Sequence, residues 1–359
     1  MVLLNSPYEP KKQKLDIVVV AFLGELKLLQ LQARSLRLYA DADLIKNIHI
    51  LVHDRHPEIF LWRFLQRVLP EYGVLAKKIN FVDTRVLFGV RVPRDGWWGQ
   101  QAAKLLAARV VSSDCYLVLD CKNHLIRSLN HESIFDQTGR MKMPMDGIHE
   151  PYRERYNAAR EFFGLATKNE AAKTLPSITP FLFKTAFVLD LLQYIETKEN
   201  CKFYDFFQRK ICTEFYLYIA FLAASNRPID ASYSQCKTIR ATFFKEAVHN
   251  ENIQRQIQKM VQNDNVYSFG VHRKAAAIAT PEFVEIVFQI WRRFSLSSNQ
   301  KETEYFLSPD KALASGWLTK LKRRTLRLAN IDFGGRPSKR ANEFGSVFAA
   351  ITAILRKRI

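Results

Sequence analysis

Along the first 120 residues the apolar positions switch between two periods. Asp16 to Phe22 (DIVVVAF) is a continuous, β-branched apolar run, the pattern of a strand buried on both faces of a parallel sheet. Residues 25–39 then place Leu29, Ala33 and Leu36 on one helical face. Asn47 to Val52 (NIHILV) predicts a second strand, and Pro57 opens a helix to about Leu69. Ile79 to Asp83 (INFVD) predicts a third strand, and a helix over 98–111 leads into a fourth at Tyr116 to Asp120 (YLVLD). This order predicts an α/β fold built on a doubly wound, mostly parallel sheet. Ligands of such sheets bind outside the carboxyl ends of the strands, which directs attention to the residues after Asp120.

Beyond residue 150 the pattern is mainly helical, with helices predicted at 151–163, 185–196, 213–224, 248–262 and 281–294 and a short strand near Val266 to Val271. The polar stretch SLSSNQKETE, 295–304, reads as a linker. The expected organisation is one domain over 1–295, with a nucleotide-binding half at about 15–130 and an acceptor half at about 131–295, followed by a basic tail at 296–359.

Charge sharpens this picture. The chain of 359 residues carries a formal net charge of +19, which calls for an anionic partner. Residues 316–359 hold eleven Lys or Arg against only Asp332 and Glu343. Within that tail Trp317, Leu321 and Leu328 share one helix face, and Phe344, Val347, Phe348, Ile351, Ile354 and Leu355 form a second apolar stripe before Arg356-Lys357-Arg358. An apolar face with basic flanks suits a helix lying on an anionic membrane surface; the plainer alternative is a cap on the domain core. No run of 18 uncharged apolar residues occurs. The N-terminus lacks the long apolar region of a signal peptide. Five cysteines without a CxxC pair give no disulfide framework. The expected location is therefore cytoplasmic, peripheral on the inner face of the cytoplasmic membrane. A nucleic-acid-binding protein would also be basic, but no recognition motif supports one, and no nucleic-acid partner is expected.

Two common phosphate cradles are missing. The first βα turn, Phe22-Leu23-Gly24-Glu25, has one glycine where GxGxxG would stand, and no GxxxxGK[ST] occurs. The informative segment is instead Gly96 to Arg127, GWWGQQAAKLLAARVVSSDCYLVLDCKNHLIR. It puts Gln100, Gln101 and Lys104 on the helix before the fourth strand and Asp120, Lys122 and Asn123 at that strand's end. Gln100 and Lys104 are four apart and share a helix face. Donors on one helix beside a polar strand end suit a phosphorylated ligand.

GWWGQQxxKL together with YLVLDCKN resembles the GT-A glycosyltransferases, particularly a bacterial, polysaccharide-associated group. The resemblance follows the order of elements over about residues 15–275. It implies a GT-A-like sheet and a nucleotide-sugar donor, with a surface-polysaccharide or lipid-linked glycan as acceptor. In that family the strand ends in DxD, whose carboxylates hold a divalent metal on the diphosphate. Here the position reads Asp120-Cys121-Lys122. A metal would lose an oxygen ligand and gain a repulsive neighbour, whereas the Lys122 ammonium can itself offset diphosphate charge. The expectation is a reaction without a metal cofactor; the alternative is Mn²⁺ or Mg²⁺ held by Asp120 and the donor phosphates alone.

The resemblance extends to other positions. Thr179 and Pro180, in SITPFLF, would shape the sugar and acceptor pocket together with Trp97. Glu214 would be the general base of an inverting reaction, although a glutamate in a first helical turn also simply favours the dipole. His272 and Arg273, after the strand at Val266 to Val271, would close over the diphosphate. His53-Asp54-Arg55-His56 reads as a polar loop lining the nucleotide pocket rather than a metal site, and Asp83 stands where it would meet the base or ribose. The lost second Asp leaves one further alternative, a degenerate GT-A scaffold without activity.

Overall fold

The computed structural model describes residues 13–90, 96–166, 173–209 and 212–308. The amphipathic stripes expected at 316–359 lie outside the described residues. In chain order the first half runs β1 (Leu15–Ala21), α1 (Leu26–Tyr39), β2 (Ile45–Val52), α2 (Pro57–Arg63), β3 (Ile79–Asp83), α3 (Thr84–Phe88), α4 (Trp97–Leu106) and β4 (Cys115–Asp120). Short pieces follow: β5 (Asn123–Leu125), α5 (His131–Ile134) and β6 (Met141–Pro144). Next come α6 (Arg153–Phe162), β7 (Phe181–Lys184), α7 (Thr185–Glu199), α8 (Phe203–Arg209) and α9 (Glu214–Ala224). The last stretch holds α10 (Ile229–Ser232), β8 (Tyr233–Cys236), β9 (Arg240–Phe243), α11 (Glu251–Val261), β10 (Ser268–Val271), α12 (Arg273–Ala276), α13 (Pro281–Arg293) and α14 (Gln300–Leu307).

The central sheet has the order β3-β2-β1-β4-β7. Its first four strands are parallel and β7 is antiparallel to β4. The expected α/β architecture with a mostly parallel sheet is therefore present. The chain leaves β1 toward β2 and β3 and returns on the other side as β4, so the crevice between the ends of β1 and β4 is the switch point where such sheets bind ligands. All seven residues of β1 are buried, which is why its sequence shows no polar alternation. A second sheet, β5-β10-β9, stands beside this crevice, and β6 pairs with β8. Among the described residues no helix is long and apolar enough to cross a membrane.

Two expectations need correction. The helix from Pro57 stays α-helical only to Arg63, then opens into a π turn at 64–68 and a 3₁₀ segment at 69–78. Pro70 supplies no N–H to continue the α ladder, and the chain bends at Gly73, where φ is 52°. The stretch read as a linker is packed instead. Asn299 caps α14 by accepting the Glu302 N–H at 3.0 Å, Phe306 and Leu307 are buried in a second core around Trp291, and Arg34 of α1 pairs with Glu302 at 2.7 Å.

The start of β1 depends on one buried carboxylate. Asp16 is fully buried and accepts N–H groups from Ser112 (2.6 Å), Ser113 (3.3 Å) and Asn47 (3.0 Å), with His49 Nε2 at 3.5 Å. Burial alone would raise its pKa, but the contacts from His49, Ser112 and Asn47 outweigh it and hold the carboxyl at about 2, below its ordinary 3.8. A folded-state pKa below the unfolded one stabilises above the ordinary value, and that stabilisation is lost as pH falls toward 2. Asp16→Asn should cost about 2 kcal/mol near neutral pH. In urea unfolding series, the gap to wild type should close between about pH 4 and 2; a gap unchanged over that range would show that Asp16 stabilises by shape rather than charge.

Candidate active site

The crevice is organised by a carboxylate between two lysines. Asp120 ends β4, in register with Val20 of β1. From α4 the Lys104 ammonium reaches Asp120 Oδ1 at 2.9 Å and Glu214 Oε1, at the start of α9, at 3.1 Å. The other Asp120 oxygen meets the Lys122 ammonium and accepts the Thr179 hydroxyl at 2.8 Å. On the far side Arg273 Nε lies 3.5 Å from Glu25 Oε1, and Glu25 feels both Asp120 and Lys122. Charge thus alternates from Glu214 through Lys104, Asp120 and Lys122 to Glu25 and Arg273.

Each end of this chain is held by the fold. Gln32 of α1, wholly buried, donates its amide to the carbonyls of Asp120 (2.7 Å) and Asn123 (2.9 Å). Asn123 Oδ1 accepts the Asp120 N–H at 2.8 Å. Gly270 of β10 lies opposite Asn123, where an added Cβ would fall 2.9 Å from the Lys122 carbonyl. A side chain there would push Lys122 away. Thr213 caps α9 by accepting the Tyr216 N–H at 3.3 Å, which fixes Glu214 as the first residue of a helix buried on almost every side.

Sharing two lysines among these carboxyls drives their proton affinities apart. Burial pushes Asp120 up, but Lys104 and Lys122 overwhelm it and keep the group ionised, far below the usual carboxylate range. Burial would also discharge Lys104; Asp120 and Glu214 hold its proton more tightly than usual. Glu214 moves the other way, raised by burial and only partly offset by Lys104. Glu25 is likewise raised, by burial and by the Asp120 charge, against the pull of Lys122 and Arg273. His272 is lowered to about 4 by burial and by its cationic neighbours Lys122 and Arg273, so it is neutral at pH 7. Protonation of Glu25 or Glu214 would leave three cations facing fewer anions. In that state the crevice would favour an anionic ligand.

Most residues singled out from sequence converge on this crevice. Lys104, Asp120, Lys122 and Glu214 form its ion network, Thr179 braces Asp120, and Asn123 and Arg273 flank it. Pro180, after a cis peptide, is buried beside Thr179. His272 caps α12, its Nδ1 accepting the Lys274 N–H at 3.3 Å. Gln101 is 1% exposed with both amide atoms unpartnered among the described residues. Gln100 is half-buried, and its side chain makes no hydrogen bond among them. Trp97, at the start of α4, is 43% exposed and stands away from the ion network.

Asp83 is corrected. It caps α3 through the Arg85 N–H (2.9 Å), pairs with the Arg85 guanidinium and is 4% exposed. The loop at His53 is tied to the first βα turn and to α3. Asp54 accepts the Leu23 N–H at 2.7 Å, and His53 packs against Phe88. Sequence reasoning missed Glu25, Gln32 and Gly270. For Glu25 the only signal was an acidic residue just after the first strand; Gln32 and Gly270 gave none.

Comparison with curated proteins finds no sequence match. Several solved structures have similar folds at low identity. The galactosyltransferase LgtC, solved with donor and acceptor sugar analogs, is 15% identical, with 78% of this chain and 100% of LgtC covered and a TM-score of 0.41. Mouse xyloside xylosyltransferase 1 is 11% identical over 72% of this chain and 97% of its own, with a TM-score of 0.40. The glycosyltransferase GlyE of Streptococcus pneumoniae is 12% identical over 86% of this chain and 64% of its own, also at 0.40. The match that defines kinship is a family profile spanning residues 14–305: the chain belongs to the family of unknown function DUF6492.

Proposed function

We propose that this protein is a nucleotide-sugar-dependent glycosyltransferase of the GT-A type, acting on a glycan or lipid-linked acceptor, with Lys122 offsetting the charge of the departing diphosphate. The observation that carries the reading is Asp120 clasped by Lys104 and Lys122 at the switch point of the sheet. A diphosphate laid across the ends of β1 and β4 would meet Lys122 and Arg273, with neutral His272 able to donate one hydrogen bond. Asp120 in this reading orients the two ammonium groups rather than a metal. Both its oxygens already face cations and a hydroxyl, a donor set that does not fit Mg²⁺ or Mn²⁺. The reaction therefore needs no cofactor in this proposal.

Glu214 is the proposed general base. Its raised proton affinity brings it toward the range where a carboxylate can take a proton from an acceptor hydroxyl near neutral pH. Lys104 would then balance the charge that comes and goes on Glu214 while Asp120 remains anionic. The tail at 316–359 would bring the site to an anionic membrane surface on the cytoplasmic side, where a lipid-linked acceptor is presented.

Lys122 provides the sharpest test. Calorimetry with UDP, GDP and ADP in EDTA should show one nucleoside diphosphate binding wild type, and Lys104→Ala and Asp120→Ala weakening it. Transfer from the matching nucleotide sugar should persist in EDTA and fall about a hundred- to thousandfold in Lys122→Ala, the loss of one electrostatic donor worth about 2.7–4 kcal/mol. Wild-type transfer that stops in EDTA and returns with Mn²⁺ would assign the diphosphate charge to a metal. Binding without any transfer would favour a scaffold.

Glu214 is tested by pH. Because its proton affinity is raised, the rising limb of kcat should lie above the ordinary carboxylate range and disappear in Glu214→Gln, with donor affinity kept. Near wild-type turnover in that variant would return Glu214 to a role in holding Lys104.

A further inference from the structure

Outside the ion network, one group of side chains has the composition of a ligand site, with a cation that has no ion-pair or hydrogen-bond partner among the described residues. Trp97, Gln101 and Lys104 follow one face of α4 at helical spacing, so Trp97 stands about 10 Å from Lys104 along the helix axis. Its indole is 43% exposed and lies nearly parallel to the Tyr152 ring, 28° apart with centroids at 6.3 Å. The Arg155 guanidinium sits over Trp97 at 4.5 Å, Trp98 at 5.0 Å and Tyr152 at 5.4 Å. Of the three arginines on α6, Arg153 pairs with Glu150 and Arg160 donates to the Ala166 carbonyl at 2.8 Å. Arg155 has neither an ion pair nor a hydrogen bond among the described residues, and its Nη1 is buried without a partner. Three rings hold this cation in place by their faces, and its buried Nη1 finds no acceptor among the described residues.

We propose that Trp97, Tyr152 and Arg155 form an acceptor subsite that takes an acidic sugar, a hexuronate residue of the acceptor glycan. The proposal rests on the transferase reading and specifies the acceptor side of the same site. A flat, partly exposed indole offers an apolar face to the C–H face of a pyranose ring. A planar, preorganised guanidinium matches a carboxylate with two parallel hydrogen bonds. Position supports the acceptor rather than the donor. Tyr156, next to Arg155, packs edge-on against Tyr216, two residues beyond Glu214, with centroids at 5.3 Å. Arg273 and Glu25 lie at the opposite end of the charge chain. Charge supports a single carboxylate rather than a polyanion. Glu150 already neutralises Arg153, and Glu154 stands exposed beside Arg155. Among the described residues of this group, a nucleic acid strand would meet Arg155 as the cation without an ion pair, beside Glu150 and Glu154.

The test is a titration of the full chain, by tryptophan emission and calorimetry, with tetragalacturonate, maltotetraose and an oligo-dT strand. Wild type, Trp97→Ala, Trp97→Phe and Arg155→Gln are compared, with far-UV circular dichroism as the folding control and nucleoside diphosphate binding measured beside the glycans. Wild type should bind tetragalacturonate about tenfold or more tighter than maltotetraose, the discrimination a charge-assisted pair supplies. Arg155→Gln should erase that ratio, Trp97→Ala should weaken both glycans, and Trp97→Phe should keep part of the affinity. Equal affinities in wild type, or a ratio unchanged in Arg155→Gln, would overturn the acidic-sugar assignment. Absence of glycan binding by a chain that still binds the diphosphate would overturn the subsite and leave the transferase reading standing. Oligo-dT binding lost in Trp97→Ala, with no glycan bound, would give the platform to single-stranded nucleic acid. The expected glycan pattern without any diphosphate binding would instead sink the transferase reading and keep the subsite.

Discussion

A carboxylate at the end of a buried strand is costly unless cations meet it, and Asp120 is met by two. Removing either partner from such a pair typically costs about 3–5 kcal/mol, because the charge left behind has no water to turn to. That penalty explains why so much of the chain converges here. Lys104 must come from α4, Lys122 from the turn after β4, and Thr179 from the approach to β7. Glu214 meets the same Lys104 at 3.1 Å, and one ammonium shared with Asp120 offsets its burial only in part. The topology of the sheet then places this compensated charge at the switch point, where a ligand can reach it.

The second core is as important to the site as the central sheet. β9 and β10 pack with α11, α13 and α14 around Trp291 and Phe283, and β10 pairs with β5 immediately after Lys122. This arrangement brings residues 270–273 against the crevice from the side opposite α9. The 2.9 Å approach at Gly270 measures how closely β10 lies on the turn that carries Lys122. Arg34, bridging Glu71 and Glu302 at 2.7 Å each, fastens α14 to α1 and so closes the second core against the first.

What was legible in the sequence follows from range. β1, β4 and the buried second half of β2 announced themselves because strands covered on both faces are mostly apolar, and α9 because nine consecutive buried residues from Glu214 to Leu222 leave no polar face. Lys104 and Asp120 were visible as a pair because they lie on adjacent elements of one βα unit. Glu25 was not: its environment is made by Arg273, 248 positions away, and by the turn after β4. Gly270 was hidden for the same reason, since only the pairing of β10 with β5 shows what a Cβ would strike. The segment 295–304 misled through composition. Its serines and charges look like a solvated tether, yet Asn299 and Glu302 are a helix start, and the apolar pair that anchors it, Phe306 and Leu307, falls just past the polar run. The Pro70 break was readable in principle, because a proline cannot donate to the ladder.

The electrostatics impose an order on ligand entry. Asp120 stays ionised and is shared between Lys104 and Lys122, so an arriving anion gains most from cations whose charge is only partly matched. Those groups are Arg273, held by a single 3.5 Å contact to Glu25, and Lys122, whose second neighbour Glu25 is drawn toward its neutral form. A diphosphate placed beside Glu25 would raise that carboxyl further by like-charge repulsion. It would then lose its hold on Arg273 just as the phosphate oxygens become available to it. On the transferase reading, the donor thus recruits its own cation, and the positive charge needed for departure of the diphosphate accumulates only when the donor is present. Without a donor, the same Arg273 and Lys122 are quieted by Glu25 and Asp120, and the crevice can remain largely buried without an unpaired charge.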